Sequence, residues 1–142
     1  MSDLKPYSRA VYYYETDQMQ IVHHSNYIRW FEEARIDFLN QMGLPYDEME
    51  KRGFLIPVLG VSCNYKIAFR FGDTFSIVPK LDHFNGLRMH LTYEVYDEKT
   101  KELKATGESS HCFTDRNLVP LRMKRQHPDI YEKLIKYVEQ KE

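Results

Sequence analysis

The stretch Tyr14-Glu15-Thr16-Asp17-Gln18-Met19-Gln20-Ile21-Val22-His23-His24-Ser25-Asn26-Tyr27 contains the residues whose types and spacing best suit chemistry. Asp17 precedes, by about seven residues, a segment with helical periodicity. The first N–H groups of a helix have no partner inside it and point back toward the incoming loop. A carboxylate in that loop and those donors together pair a nucleophile or base with an anion site. Acyl hydrolysis needs attack on a carbonyl by a carboxylate or by water, and donors for the developing oxyanion. When the leaving group is a thiolate it needs little acid help. The commoner role of a loop Asp is to cap a turn through its side chain, so the types alone leave both readings of Asp17 open.

His24 is a candidate acid–base or orienting group through its side chain. His23 is one residue out of that register and is expected to pack or hydrogen-bond. The adjacent pair lacks the one-face spacing of a helical metal site, and no Cys or carboxylate cluster completes one, so no metal is expected. Gly107-Glu108-Ser109-Ser110-His111 superficially suggests a serine hydrolase. A nucleophile elbow requires G-x-S-x-G between strand and helix, and His111 breaks the pattern; these residues are expected to run along a strand. Cys63 and Cys112 are far apart, form no C-x-x-C pair and are expected to be inert thiols in a reduced cytoplasmic setting.

Twenty Lys+Arg against 21 Asp+Glu give a formal net charge of −1, which provides no global attraction to nucleic acid or an anionic membrane. An anionic ligand must meet a local basic cluster. Lys66, Arg70, Arg88, Arg116, Arg122, Lys124 and Arg125 are the candidates, with Arg88 and the Arg122–Arg125 group preferred. The polar start from Met1 to Pro6 has no signal-like apolar region, and no apolar run is long enough to span a membrane.

The elements that must position Asp17 follow from periodicity. Arg9 to Tyr14 is expected to form a strand leading into the Asp17 loop. Tyr27, Trp30, Phe31, Ala34, Phe38 and Met42 recur every three or four residues and predict one long helix. Ser25 or Asn26 would cap its start, Gly43 would close it, and Pro45 would keep it from resuming. Strand-like segments follow over roughly residues 55–71, 74–84, 87–96 and 102–114, separated by Gly72-Asp73, Asn85-Gly86 and the polar run 97–101. A last helix opens at His127-Pro128-Asp129. The fold class is α+β over a single domain, residues 1–142.

Glu15-Thr16-Asp17, Ile21-Val22, His24, Tyr27 and the run Arg29 to Arg35 resemble the signature of the 4-hydroxybenzoyl-CoA thioesterase family, and the resemblance extends over nearly the whole chain. It implies a hot-dog fold, an antiparallel sheet wrapped around one long central helix with a C-terminal helix added. It implies hydrolysis of acyl-CoA thioesters, with Asp17 as nucleophile or general base and the His24 backbone N–H polarising the carbonyl. His24 and Asp17 are then the catalytic candidates, and Tyr27 and Arg88 the substrate-binding ones. No cofactor is implied, and two subunits would build the sites between them, as a homodimer or a homotetramer. This sequence departs from the family at Gln20, where Gly is usual, and at Ala68, where Pro is common. The D-x4-H pattern of the enoyl-thioester hydratases of the same fold is absent, since His23 and His24 follow Asp17 at x5 and x6. An acyl-carrier-protein thioesterase and a non-catalytic acyl-CoA-binding protein are the alternatives.

Overall fold

The three- and four-residue spacing of large apolar groups is realised as a 17-residue helix, α1 (Ser25–Gln41), in a computed structural model that describes residues 4–138. The ends of the 1–142 domain, including the first three residues of the polar start, lie outside the described residues. Tyr27, Trp30, Phe31, Ala34, Phe38 and Leu39 form the buried face of α1, and Met42 closes it just beyond the last turn. Gly43 then takes φ +84°, as a helix-terminating residue should.

That face lies on an antiparallel sheet. Its strands are β1 (Tyr7–Ala10), β3 (Val58–Tyr65), β4 (Thr74–Phe84), β5 (Arg88–Asp97) and β6 (Leu103–Cys112), in the order β1-β4-β5-β6-β3. β2 (Phe54–Leu55) and β7 (Thr114–Asp115) make a separate two-stranded ribbon. In β5, Met89, Leu91, Tyr93 and Val95 point inward and alternate with outward polar residues. Trp30 stacks on Phe75 at 3.9 Å and Phe31 on Tyr93 at 4.4 Å, so flat rings join helix to sheet. The sheet wrapped around α1 is the hot-dog fold.

Several expectations are corrected. The first strand ends at Ala10, and the tyrosines at 13 and 14 enter a 3₁₀ turn, Tyr13–Glu15, because the Glu15 carboxylate takes the Tyr12 N–H at 2.9 Å. The expected segment 55–71 is not one strand: β2 and β3 are separate, and after Tyr65 the N–H groups of Lys66 and Ile67 both turn to the Lys104 carbonyl. Pro45 does not stop the chain from coiling. It is the N-cap of a further helix, α2 (Tyr46–Arg52), with Asp47 and Glu48 in the first turn, Lys51 and Arg52 in the last, and Gly53 at φ +83° after it. Before the predicted last helix, α4 (Pro128–Ile135), comes a single turn, α3 (Met123–Gln126).

Gly107 lies in the middle of β6, where a β-carbon would meet the Phe31 ring at 2.4 Å and the Ser62 carbonyl oxygen at 2.8 Å. The glycine of Gly-Glu-Ser-Ser-His is therefore required by packing. Ser109 and His111 beside it are buried. Tyr93, Ser109 and His111 form a hydrogen-bonded chain of 2.7 and 2.8 Å, and burial pushes the His111 imidazole down to about 3. That chain is closed off from solvent and provides no nucleophile.

Candidate active site

Asp17 sits on a short loop that folds back on itself. Thr16 bridges Val22, the Asp17 N–H donates to the Ile21 carbonyl at 3.0 Å, and the Gln20 N–H donates to the Asp17 carbonyl at 2.8 Å. Its carboxylate does what a turn Asp ordinarily does, since Oδ1 accepts the Met19 N–H at 2.9 Å. Oδ2 has no partner among the described residues, and the side chain is only half-buried. Turn-capping and chemistry are therefore compatible, one oxygen serving each. Gln20, at the usual glycine position, adopts φ +67°. The backbone that a glycine would favour is thus kept with a side chain on it.

The loop returns to α1 through His23 and His24. The Ser25 N–H donates to His23 Nδ1 at 3.2 Å, the Asn26 N–H to the His23 carbonyl at 3.0 Å and the Tyr27 N–H to the His24 carbonyl at 3.2 Å. Neither Ser25 nor Asn26 is the N-cap; both lie inside the helix, His24 holds the N-cap position without a side-chain cap bond, and the His23 ring takes the N–H of the first helical residue. The His24 N–H is left unbonded among the described residues, next to the loop that carries Asp17. The His24 side chain is exposed, stacked on His23 at 4.2 Å and edge-on to Tyr65 at 6.2 Å. An anion site at this helix start therefore rests on a single backbone donor.

Tyr27 is 3% exposed and packed among Tyr65, Trp30 and Phe69, and burial pushes its hydroxyl up to about 12. It forms the wall behind Tyr65, whose hydroxyl reaches the His24 carbonyl at 3.3 Å and whose side chain is half-exposed. Arg88 opens β5, opposite Cys112, whereas the Asp17 loop borders Arg70 and the other end of that strand. Nine steps along a strand separate those ends by roughly 30 Å, so one subunit does not bring Arg88 to Asp17. Arg88 lines a cleft of about 420 Å³ with Leu59, His83 and His90, and Arg122, Lys124 and Arg125 line a neighbouring one of about 390 Å³ beside Asn85 and Gly86. None of these four cations has a carboxylate partner among the described residues. Lys66 and Arg70 sit instead at the Asp17 end of the sheet, and Arg116 donates to the Glu50 carbonyl. Cys63 is half-buried with its thiol pushed up to about 11 by burial, which suits an inert group.

Glu15, named above only as part of the signature, has a role in the site that its type and spacing do not reveal. Only 2% exposed, its carboxylate accepts both Arg9 terminal nitrogens at 2.8 and 3.1 Å, the Trp30 indole N–H at 3.0 Å and the Tyr12 N–H. Burial opposes its ionisation, but these donors outweigh burial and hold the carboxyl below the usual carboxylate range. Arg9 continues to the partly exposed Glu33 at 2.9 Å, so β1, the Asp17 loop and α1 meet at one ionic cluster that is buried at its Glu15 end. A charged residue two positions before Asp17, with aromatics all around it, was the available signal.

Residues 11–134 match the model of the thioesterase-like superfamily. The Bacillus subtilis protein YneP, provisionally named an acyl-CoA thioesterase, is 35% identical over 127 residues, 87% of this chain and 91% of that one. The crystal structure of a DHNA-CoA thioesterase from Staphylococcus aureus is 32% identical, with a TM-score of 0.88 over 93% of this chain and 89% of that one. SAV2348 of Staphylococcus aureus, solved in complex with CoA, shares the fold at 17% identity, with a TM-score of 0.82 over 100% of this chain and 92% of that one.

Proposed function

Because the chain belongs to the thioesterase-like superfamily, we propose that it hydrolyses acyl-CoA thioesters to the free acid and coenzyme A at the Asp17 loop. The observation that carries this reading is an Asp17 carboxylate with one oxygen unbonded among the described residues, on the loop that leads into α1, together with a His24 N–H unbonded among them at the start of that helix. Asp17 attacks the thioester carbonyl or activates the water that does, and the His24 N–H receives the oxyanion. The His24 side chain, exposed beside it, orients substrate or water. Tyr27 backs Tyr65, the half-exposed ring beside His24, against which the acyl group would lie.

Arg88 joins such a site only across two subunits. β3 is the longer of the two edge strands of the sheet, with Val58, Leu59 and Tyr65 each about half-exposed along it. A second copy added antiparallel along this edge, about a two-fold axis normal to the sheet, sets the Tyr65 end of one strand near the Val58 end of the other. The cleft of Arg88, and beyond it Arg122, Lys124 and Arg125, then flanks the partner's Asp17, where cations meet the phosphates of coenzyme A. Light scattering is expected to give at least twice the 17.1 kDa chain mass; a monomer at micromolar concentration would remove the shared site.

A panel of acyl-CoA and acyl-carrier-protein thioesters, aromatic and medium-to-long aliphatic, scored by free thiol, tests the activity itself. Thiol release from at least one acyl-CoA is expected. Tight binding across the panel with no thiol released would show a non-catalytic acyl-CoA-binding protein.

A further inference from the structure

We propose that the side-chain amide of Asn26 locks the peptide plane that presents the His24 N–H to the oxyanion, and so sets the geometry of the hydrolytic site; the inference rests on the role given to that N–H above. Asn26 touches no reacting atom and is a positioning residue. Its Nδ2 donates to the Glu15 carbonyl at 3.0 Å and to the His23 carbonyl at 3.2 Å. The amide has two N–H groups, and both are used. The opposite placement of its oxygen and nitrogen would set an acceptor against two carbonyl oxygens, so the partners decide the orientation.

The His23 carbonyl and the His24 N–H belong to one planar trans peptide and point in opposite directions. Whatever fixes the carbonyl fixes the N–H. The His23 oxygen accepts both the Asn26 N–H and Asn26 Nδ2, which hold it on the helix side and turn the His24 N–H away from α1. The first peptide of a helix has no N–H bond of its own to resist rotation. Were this plane to rotate, a carbonyl oxygen would stand where the oxyanion must form.

The second bond ties in the carboxylate. The Glu15 oxygen accepts the His23 N–H at 2.9 Å as well as Asn26 Nδ2, which uses both of its lone pairs. Glu15 and His23 are the two ends of the loop that displays Asp17, and one amide on a packed helix is bonded to both. One side chain thus braces both ends of a loop that its backbone bonds close, and with them the separation of base and oxyanion donor.

Asp matches Asn in shape but turns a negative oxygen toward two carbonyl oxygens, whereas Ala simply deletes the amide. On the best acyl-CoA of the panel, kcat is expected to fall about tenfold in Asn26→Ala and about 10²-fold or more in Asn26→Asp, with KM little changed, because the loss is in oxyanion stabilisation. A role in packing alone predicts the reverse order, with the isosteric Asp tolerated. Residual dipolar couplings of the His24 N–H, measured against the N–H vectors of residues 28–39, are expected to change in both variants, and this readout needs no activity. An unchanged His24 vector, or Asn26→Asp at near wild-type kcat while Asp17→Asn is inactive, would overturn the proposal and leave the site reading intact. Near wild-type rates in both Asn26→Asp and Asp17→Asn would overturn the site reading and the proposal with it.

Discussion

Asp17→Asn is expected to lower kcat on the preferred acyl-CoA by about 10²-fold or more, with the fold and substrate binding retained. The structure makes this a clean substitution. The turn needs only an acceptor at Oδ1 for the Met19 N–H, and the Asn side-chain oxygen supplies one. What disappears is the charge on Oδ2, the oxygen with no partner among the described residues. An amide is neither a general base nor a comparable nucleophile, and the neighbouring His24 N–H cannot replace it, because stabilising an oxyanion does not generate one. Steady-state kinetics with a circular-dichroism melt of the same preparation checks both halves. A folded variant with near wild-type kcat would take Asp17 out of the mechanism. His24→Ala should cost less, since the substitution leaves the backbone donor in place.

Glu15→Gln is expected to cost about 3 kcal/mol of stability, the lower end of what breaking a buried ion pair costs, because Glu33 still partners Arg9. The uncharged amide no longer compensates a nearly buried guanidinium, and its NH₂ group competes with donors that the carboxylate accepted. For a domain of this size the melting temperature should fall by roughly 10 °C. The pH dependence has a definite sign. The folded carboxyl titrates below its unfolded range, so its contribution is complete above the unfolded pKa and is lost as pH falls through the folded one. Wild type and variant should therefore melt apart at neutral pH and converge in acid. A parallel offset at every pH would show that the ion cluster contributes nothing through its charge.

Long-range order was easier to anticipate from the chain than the local wiring of the site. α1 follows from apolar spacing because one helical face must be buried, and the hairpin at Asn85-Gly86 follows from turn chemistry. There the Asn85 side chain accepts the N–H groups of Leu87 and Arg88, and Gly86 takes φ +91°. α2 has readable signals, acidic residues first, basic residues last and Gly53 after them, but a Pro just beyond one helix reads equally as a stop to it and as the start of the next, and Pro45 is the start. In the 3₁₀ turn at Tyr13, β-propensity lost to a local capping bond, the capture of the Tyr12 N–H by the Glu15 side chain three residues on. Asp17 was legible as a candidate through its place before a helix. The tasks of Glu15 and Asn26 were not, because each depends on groups that only folding brings together, Arg9 and Trp30 for the first and two carbonyls across a loop for the second.

The contact between Gly107 and the Phe31 ring bears on how this lineage could vary. The two positions are 76 residues apart in the chain, yet they share a single volume, since the ring fills the space that a β-carbon would claim. Neither site then explores substitutions on its own: a side chain at 107 is admissible only after the ring at 31 has shrunk or moved, and a smaller residue at 31 opens a void that only a larger residue at 107 would fill. Homologues should therefore show the pair changing together, aromatic with glycine or smaller with larger, and a chimera that exchanges the helix without β6 would inherit the mismatch.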